Sequence, residues 1–326
     1  MTPVAVTRSE TRAAPRIAIL IPCYNEAITI TDVVTRFKAA VPGCEVYVFD
    51  NNSTDDTSEL ARAAGATVCF ERRQGKGYVV QSMFRKVDAD IYVMVDGDGT
   101  YPPDAVERLL APIESGEADM VIGSRLHRTA DSEFRLLNRL GNRFFLRLLN
   151  SIFGVRLTDL LSGYRAFSRR LVRSLPLFGG GFETEAELTI KALQRGYAIV
   201  EVPVDLKHRP AGSHSKIRIV QDGLVILSTI LTLFRDYKPL TFFGATGLGL
   251  MAAGALPGAF ALLGYVETGV APGLLTGVAV LGLLIGALTI GVGLVLHTIA
   301  RRFQELDYQL QMFADEAARG RGRENP

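Results

Sequence analysis

The apolar positions divide the chain into two regions of different character. Across roughly the first 216 residues, short apolar runs alternate with segments whose apolar residues recur at helical spacing. Four runs are rich in β-branched residues and bounded by Gly, Pro or Asp, which is typical of strands. They cover residues 16–21, 45–50, 67–70 and 90–95. Strands that alternate with helices predict an α/β fold with a mostly parallel, Rossmann-like sheet.

The helical segments support this interpretation. Ile30, Val33 and Phe37 share one helical face, and residues 55–64 end at Gly65 in the manner of a capped helix. The pattern then predicts a strand at 120–122, a basic amphipathic helix at 138–153, a helix at 183–195 and a strand at 198–204. We therefore expect one α/β domain over residues 15–216, preceded by a flexible N-terminus of residues 1–14.

The second region contains two long uncharged runs. Residues 239–266 carry no charge, and in residues 268–300 His297 is the only ionisable side chain. Each run exceeds the ~20 residues that span a bilayer. A pair of buried core helices is the alternative, but the length of the runs and their many small residues favour lipid. The overall mean hydropathy of +0.20 agrees, and we predict a transmembrane helical hairpin over residues 239–300.

The flanking charges predict how this hairpin is oriented. Basic residues lie outside both runs, whereas the connecting turn carries only Glu267. The positive-inside rule then places both termini and the α/β domain in the cytoplasm, at the inner face of the cell membrane. Residues 217–238 are expected to form an amphipathic helix at the bilayer surface. Residues 301–326 form a cytoplasmic tail, expected to be a solvated helix, with self-association as the alternative.

Composition excludes several other classes of protein. The net charge is only +2 and there is no long basic block, so nucleic-acid binding is not expected. The three cysteines have no metal-binding spacing, so neither a disulfide framework nor a zinc site is indicated. The N-terminus lacks the apolar core of a secretory signal.

Polar clusters follow three of the predicted strands. They are residues 24–26, 50–52 and 96–98, and parallel sheets bind ligands at the carboxyl ends of their strands. Asp96 and Asp98 enclose Gly97, so both carboxylates can reach one cation. Mg²⁺ or Mn²⁺ takes one or two carboxylates and leaves other positions for phosphate oxygens. An ordinary acidic turn is the alternative for these residues.

The ordered set of motifs resembles the GT-A-fold family 2 glycosyltransferases. It comprises residues 21–26, 50–57, 75–77, 96–98, 123–125, 158–165 and 209–216. The branch most similar to it is the polyprenyl-phosphate (dolichyl-phosphate mannose/glucose synthase-like) sugar transferases with a two-helix membrane anchor. The resemblance covers nearly all of residues 15–216.

This resemblance implies an inverting transfer from a nucleotide-diphosphate sugar to undecaprenyl or dolichyl phosphate. A UDP-hexose or UDP-N-acetylhexosamine is favoured as the donor over GDP-mannose, and a homo-oligomer, as a tetramer, is suggested. Two alternatives stay open: a membrane-anchored transferase with another acceptor, and a non-catalytic nucleotide-binding adaptor.

The resemblance also assigns roles to individual residues. Donor binding falls to Pro22, Tyr24, Glu26, Asp50, Asn52, Lys76, Asp96, Gly97, Arg209 and Lys216. Metal binding falls to Asp96 and Asp98. Catalysis falls to Asp98, Arg125, Asp159 and Arg165, and the arginines are expected to bind phosphate. Asp159 lies beside the acceptor, unless it simply caps a helix.

Two further points concern acidic residues. A phosphomonoester is mostly a dianion at neutral pH, so we expect Asp159 to orient the acceptor or to take a residual proton. Glu183 and Glu185 either border the acceptor cleft, as the resemblance implies, or serve as helix N-terminal acids.

Overall fold

The computed structural model of this chain describes residues 14–125, 133–210, 212 and 219–321. Residues 1–13 of the predicted flexible N-terminus and the predicted donor-binding residue Lys216 lie outside these ranges.

The described strands form one seven-stranded sheet in the order β3-β2-β1-β4-β6-β5-β7. They are β1 (Ile17–Cys23), β2 (Glu45–Asp50), β3 (Thr67–Phe70), β4 (Ile91–Met94), β5 (Met120–Ser124), β6 (Arg165–Ser168) and β7 (Ile199–Pro203). Only β6 runs antiparallel to its neighbours, β4 and β5. The predicted mostly parallel α/β sheet is confirmed. β6 escaped prediction because its four residues show no clear alternation.

Ten α-helices accompany the sheet and continue beyond it in the described part of the chain. They are α1 (Ile30–Ala40), α2 (Thr57–Ala63), α3 (Lys76–Lys86), α4 (Val106–Glu114), α5 (Glu133–Phe153), α6 (Arg169–Ser174), α7 (Thr184–Gln194), α8 (Ile219–Tyr237), α9 (Pro239–Thr268) and α10 (Gly273–Arg321). Lys76, predicted to bind the donor, is the first residue of α3. The side chain of Lys76 therefore projects from the start of a helix and not from a loop.

Both faces of the sheet are covered by helices. Successive strand residues point to opposite faces, so Ile19 and Ile21 of β1 join a core with α1, α2 and α4. Ala18 and Leu20 join a second core with α3, α6 and α7. The sheet is therefore the middle layer of the domain, with an apolar core on each of its faces.

The C-terminal helices α9 and α10 pack closely through glycines. A Cβ on Gly247 would lie 2.6 Å from the carbonyl oxygen of Gly286, and one on Gly282 would lie 2.7 Å from Cα of Gly254. Small residues allow such backbone approach between membrane helices. α9 ends before Gly269, whose φ of 72° is the left-handed conformation that glycine adopts readily.

Both helices are long and apolar enough to cross a membrane. In each, only 17% of the most apolar window is buried, whereas the core helix of a soluble protein would be mostly buried. The predicted pair of C-terminal apolar helices is confirmed, and their exposed surface suggests membrane anchoring. α10 continues through the predicted domain boundary at residue 300 without a break.

The chain divides into two compact units, one ending at Ile230 and the next beginning at Leu231. The division falls within α8, so the predicted boundary at 216/217 does not coincide with it. A helix, α8 (Ile219–Tyr237), covers most of the segment 217–238, and its location at the bilayer surface stays a prediction.

Candidate active site

The candidate site lies along one edge of the sheet. Strands β1, β2, β4, β5 and β7 all end at this edge, because β5 and β4 are each antiparallel to β6 and hence parallel to each other. β6 begins at the same edge, which also brings the segment before it, residues 158–164, to the site. Topology therefore collects side chains that are far apart in the sequence.

Asp96 forms a partly buried ion-pair network with Lys76 and Glu185. The ammonium Nζ of Lys76 lies 2.6 Å from Oδ1 of Asp96 and 2.6 Å from Oε1 of Glu185. Burial works against the charge of Lys76, but the two carboxylates more than offset it and raise the pKa of the ammonium. Lys76 is therefore a permanent cation held against the first acid of the Asp-Gly-Asp motif.

Glycines permit this position of Lys76. Gly75 has φ of 137° and its added Cβ would lie 2.1 Å from the carbonyl oxygen of Gly180. An added Cβ on Gly77 would lie 2.2 Å from the carbonyl oxygen of Gly179. The start of α3 thus rests directly on the backbone of the glycine segment 179–181, where no side chain fits.

The backbone of the glycine segment 179–181 is held in place by a buried ion pair. Nζ of Lys191 lies 2.6 Å from Oε1 of Glu187, and both side chains are only 4% exposed. The Glu187 carboxylate accepts hydrogen bonds from the backbone nitrogens of Phe178 and Gly179. Glu183 accepts one from the nitrogen of Gly181. Glu183 therefore shapes this segment, whereas Glu185 contacts the site through Lys76.

Gly163 provides the space for the Asp96 carboxylate. A Cβ added at Gly163 would lie 2.3 Å from Oδ2 and 2.7 Å from Cγ of Asp96. The nitrogen of Gly163 also donates to the hydroxyl of Tyr101 at 2.9 Å. The position of Asp96 therefore depends on the absence of a side chain at residue 163.

We expect Gly163→Ala to reduce sugar transfer by roughly 10- to 100-fold, because the methyl group displaces Asp96 by about an ångström or more. The φ of Gly163 is not positive, so alanine is tolerated by the backbone and the effect isolates the added Cβ. Turnover and Mn²⁺ affinity, measured side by side, check this. Gly223→Ala is the matched control, since its Cβ would meet nothing within 4 Å; equal activity of the two variants would contradict the prediction.

Asp98, the second acid of the motif, is also paired with a cation. Its Oδ2 contacts the guanidinium of Arg209, and its Oδ1 accepts hydrogen bonds from the hydroxyl of Thr100 at 2.6 Å and the Thr100 nitrogen at 3.1 Å. The nitrogen of Lys207 donates to the Thr100 carbonyl at 2.8 Å. This bond holds the segment with Arg209 against the acidic motif.

The two carboxylates of the Asp-Gly-Asp motif suit Mg²⁺ or Mn²⁺ better than a metal ion whose ligands all come from the protein. Among the described residues, no cluster of three or more His, Cys, Asp or Glu side chains is arranged to hold a metal. Asp96 and Asp98 offer carboxylate oxygens, and the carboxylate of Asp96 lies directly against Gly163. Mg²⁺ and Mn²⁺ use one or two carboxylates and complete their shell with water and phosphate.

Asp159 and Arg125 form the second charged pair of the site. The guanidinium donates from Nε to Oδ2 at 2.6 Å and from Nη2 to Oδ1 at 2.7 Å. The backbone nitrogens of Arg125 and Leu161 also donate to the same carboxylate. Burial opposes ionisation of Asp159, but Arg125 and these hydrogen bonds outweigh it and hold the pKa of the carboxyl below its usual value. Asp159 is thus a fixed anion that orients Arg125.

Glu201 of β7 holds the turn that carries Asp159. Its carboxylate accepts hydrogen bonds at 2.9 Å from the nitrogen and hydroxyl of Thr158 and from the nitrogen of Asp159. The alternative that Asp159 caps a helix does not hold, since the described backbone of residues 158–164 starts no helix.

Arg165 is not positioned to bind phosphate, which corrects the expectation from the sequence. It is 0% exposed. Its guanidinium donates to the carbonyl oxygens of Leu160 and Ser162 and to the hydroxyl of Thr189. Burial lowers the pKa of this guanidinium from its usual value. The side chain therefore fastens the segment before β6 to α7.

The predicted nucleotide end of the site lies beyond β1 and β2. Asp50 is 5% exposed and its carboxylate accepts hydrogen bonds from the nitrogen of Ser53 and the hydroxyl of Ser58. Asn52 has φ of 64°, and its amide donates to the carbonyl of Arg72 and to Gln74. The side chains of Asp50 and Asn52 therefore shape this loop through hydrogen bonds to neighbouring residues.

Other predicted donor residues are Pro22 near the end of β1, Tyr24 and Glu26 just after it, and Gly97 between the two acids. Tyr24 is 38% exposed, and Pro22 and Glu26 are less exposed. The nitrogen of Glu26 donates to the hydroxyl of Thr57. An added Cβ on Gly97 would lie 2.7 Å from Sγ of Cys23, so the thiol fills the space that a larger residue at 97 would need.

Several residues of the site were not assigned from the sequence. Asn51 accepts from the nitrogen of Gly75 and donates to the carbonyls of Glu71 and Arg73, which sets the turn before Lys76. Glu201 is the one acid within the apolar strand β7, a signal that could have identified it from the sequence. Asn51 and Gly163 carried no comparable signal beyond membership of a motif.

Comparison with known proteins agrees with this geometry. The family model described as Glycosyl transferase family 2 matches residues 18–175. "Glycosyltransferase AglJ" of Haloferax volcanii is 34% identical over 271 residues, covering 83% of this chain and 89% of that protein. "Dolichyl-phosphate hexose transferase" of the same organism is 33% identical over 193 residues, covering 59% and 83%.

Solved structures of glucosyl-3-phosphoglycerate synthase from Mycobacterium tuberculosis share the fold. The complex with Mn²⁺ and UDP-glucose has a TM-score of 0.58 at 27% identity, covering 68% of this chain and 79% of that one. The complex with Mg²⁺ and UDP has a TM-score of 0.56 at 27% identity, with the same coverage. The GT-A resemblance of the sequence is confirmed, and the chain belongs to glycosyl transferase family 2.

Proposed function

We propose that this enzyme transfers a sugar, with inversion, from a nucleotide-diphosphate sugar to a polyprenyl phosphate at the cytoplasmic face of the membrane. A phosphate oxygen of the acceptor forms a bond to the sugar C1 while the bond from C1 to the diphosphate breaks. The electron pair leaves with the nucleoside diphosphate. The products are a lipid-linked monosaccharide and the free nucleotide.

One observation carries this proposal. At one sheet edge, cationic side chains contact the two acids of the Asp-Gly-Asp motif, and the same chain has two helices apolar enough to cross a membrane. Lys76 and Arg209 lie directly on Asp96 and Asp98, where a diphosphate would be bound. Cations placed there stabilise the charge that develops on the leaving group. A bound Mg²⁺ or Mn²⁺ on Asp96 and Asp98 would supply further positive charge to the same diphosphate.

The acceptor phosphate is assigned to the side of Arg125. This guanidinium is fixed by the buried Asp159 carboxylate through two hydrogen bonds and is 22% exposed. A pre-oriented guanidinium binds a phosphate with little loss of side-chain entropy. The hydroxyl of Tyr101 lies near Ser162 and accepts a hydrogen bond from the nitrogen of Gly163, the glycine against which Asp96 lies.

Separate observations favour one class of donor and one side of the membrane for the active site. A UDP-hexose or UDP-N-acetylhexosamine is favoured because the solved relatives bind UDP and UDP-glucose, with GDP-mannose as the second candidate. The basic residues outside both apolar helices favour the cytoplasmic side for the active site. The hairpin keeps the enzyme at the surface from which an acceptor with a long apolar tail cannot leave.

The proposal is tested by incubating the full-length protein in detergent with labelled UDP- and GDP-sugars and undecaprenyl or dolichyl phosphate. We expect a lipid-linked monosaccharide from a UDP-sugar, dependent on Mg²⁺ or Mn²⁺ and abolished by EDTA. Transfer to a water-soluble acceptor alone would favour the alternative acceptor class. Donor binding without any transfer would favour the non-catalytic adaptor.

Truncation before Thr241 should keep donor binding and lower transfer to a long-chain acceptor by at least about tenfold, because the effective concentration of acceptor falls. Calorimetric titration with UDP and transfer to acceptors of short and long chain check this. A short-chain, water-soluble acceptor is the control, since it gains nothing from the hairpin. Equal use of both acceptors by both proteins would show that the hairpin is dispensable.

Asp159→Asn should reduce turnover without removing the acidic limb of the pH–rate profile. The pKa of Asp159 is depressed, so its charge stabilises the fold above the unfolded value of ~3.9 and is lost only below that pH. A limb near pH ~6 then belongs to the second ionisation of the acceptor phosphate. A limb that disappears in the variant would instead make Asp159 the titrating base.

A further inference from the structure

The last part of α10 carries an exposed apolar stripe, which we call the tail stripe. It consists of Ile299, Phe303, Leu306, Leu310 and Phe313. The last four side chains are 67%, 53%, 67% and 68% exposed, respectively, and Ile299 is 46% exposed. Their alternating spacings of four and three residues place them at the a and d positions of a heptad repeat.

The tail stripe begins where the apolar run of α10 ends. Arg301 and Arg302 interrupt that run, and Glu305 and Asp307 follow, so this part of the helix does not belong in hydrocarbon. From Arg301 to Arg321, at about 1.5 Å per residue, the helix extends roughly 30 Å further. This inference rests on the proposed membrane span of α10. In that arrangement the tail stripe lies outside the bilayer.

A solvated helix, as expected from the sequence, does not account for two phenylalanines and two leucines on one line. A helix lying on the membrane does not account for the stripe either. Such helices have a wide apolar face and a Lys/Arg-rich polar face. Here the apolar seam is narrow, Asp307 lies beside it, and Glu305, Tyr308 and Met312 lie toward the other side of the helix.

The charges beside the tail stripe match a second copy of the same helix in parallel. Arg302 occupies position g and Asp307 occupies position e of the following heptad. In a parallel pair, g of one strand faces the e five residues later on the other strand, which makes two Arg–Asp pairs by symmetry. An antiparallel pair would place Asp307 against its own copy. Within one chain, Arg302 pairs with Glu305, and these side chains are 75% and 48% exposed. Such an exposed pair is weak and competes little with an Arg302–Asp307 pair between two chains.

We infer that residues 299–313 of α10 form a parallel two-stranded coiled coil with a second copy of this chain. The seam covers only about two heptads, which would be marginal for free peptides in water. Two chains anchored in one bilayer leave it on the same side and with the same direction. The anchor therefore supplies both the parallel orientation and a high effective concentration.

Disulfide crosslinking in native membranes tests the seam and its direction. The background carries Cys44→Ser and Cys69→Ser, while Cys23 is buried and stays. We expect Phe313→Cys to give a covalent dimer on mild oxidation, and the matched Tyr308→Cys, on the far side of the helix, to give at least about fivefold less. Equal crosslinking at 313 and 308 would mean random collision and would overturn the inference.

Two further outcomes of this experiment would also overturn it. Crosslinking between Phe303→Cys and Phe313→Cys chains, without crosslinking at 313 alone, would mean an antiparallel pair. No crosslink together with quenching of a label at residue 313 by brominated lipid would mean a helix on the membrane surface. Crosslinking needs no sugar donor, so its result does not depend on the transfer reaction.

Charge-reversal variants test whether Arg302 and Asp307 pair between two chains. Energy transfer between labelled full-length chains in vesicles measures dimerisation. Arg302→Glu and Asp307→Arg should each weaken it by roughly fivefold, and the double variant should restore it, because each charge pair is formed twice in the symmetric dimer. A double variant weaker than either single variant would contradict the pairing.

Discussion

Asp98→Asn is expected to lower sugar transfer by at least about 10²-fold, with the fold intact. Removal of one group that stabilises developing charge has effects of this size. The asparagine side chain keeps the shape of the aspartate and can still accept the hydrogen bonds from Thr100 that hold this turn. It no longer offers an anionic oxygen to a divalent cation, nor a charged partner for Arg209.

Two measurements separate this loss from unfolding. Thermal unfolding of the variant should resemble that of the parent, and UDP binding in the absence of metal should persist. Asp104→Asn is the matched control, because Asp104 is exposed and lies six residues further along. Full activity of Asp98→Asn with Mn²⁺ would revive the alternative of an ordinary acidic turn and remove the metal from the proposed reaction.

Arg165→Met should destabilise the α/β domain by about 3 kcal/mol rather than weaken phosphate binding. The substitution leaves the buried carbonyl oxygens of Leu160 and Ser162 without their donors, at ~1–3 kcal/mol for each unsatisfied group. It also removes the link to Thr189 on α7. The relief of a buried charge offsets part of this loss.

Urea unfolding followed by tyrosine fluorescence, in a chain without tryptophan, measures the change, and donor affinity is measured on the folded protein. We expect a lower unfolding midpoint and an unchanged Kd for the donor. Arg125→Met serves as the contrasting variant, since Arg125 is 22% exposed and directed to the site. A normal midpoint with weakened phosphate binding in Arg165→Met would restore the role that the family resemblance implies.

Much of the fold was predictable because local patterns and the global structure agree. The alternation in β1 and the helical face of α1 are read directly from apolar spacing, and the structure reproduces β2 and β3 at the expected residues. The order of strands and helices then required a mostly parallel sheet. β6 and α6 were not predicted, because they are short and their residues show no period that distinguishes them from a loop. α3 (Lys76–Lys86) and α4 (Val106–Glu114) were not predicted either, although both are longer.

Candidate site residues were predictable as a set but not in their individual partners. The residue types at a strand end mark Asp96 and Asp98 as groups for charge chemistry, and the family resemblance adds Asp159. Whether Arg165 faces a ligand or the core depends on β6, whose antiparallel entry turns the side chain toward α7. Likewise Glu185 reaches Lys76 only because the start of α3 rests on the glycine segment before α7.

By itself, the sequence determined the α/β class, the two apolar C-terminal helices and the acidic motif at a strand end. These features depend on local periodicity, composition and spacing, which any window of the chain displays. Only the tertiary structure decided which cation meets which acid: Lys76 with Asp96, Arg209 with Asp98, and Arg125 with Asp159. Such pairs join residues 20 to 111 positions apart, and their contacts are set by strand order and backbone approach, which no local pattern encodes.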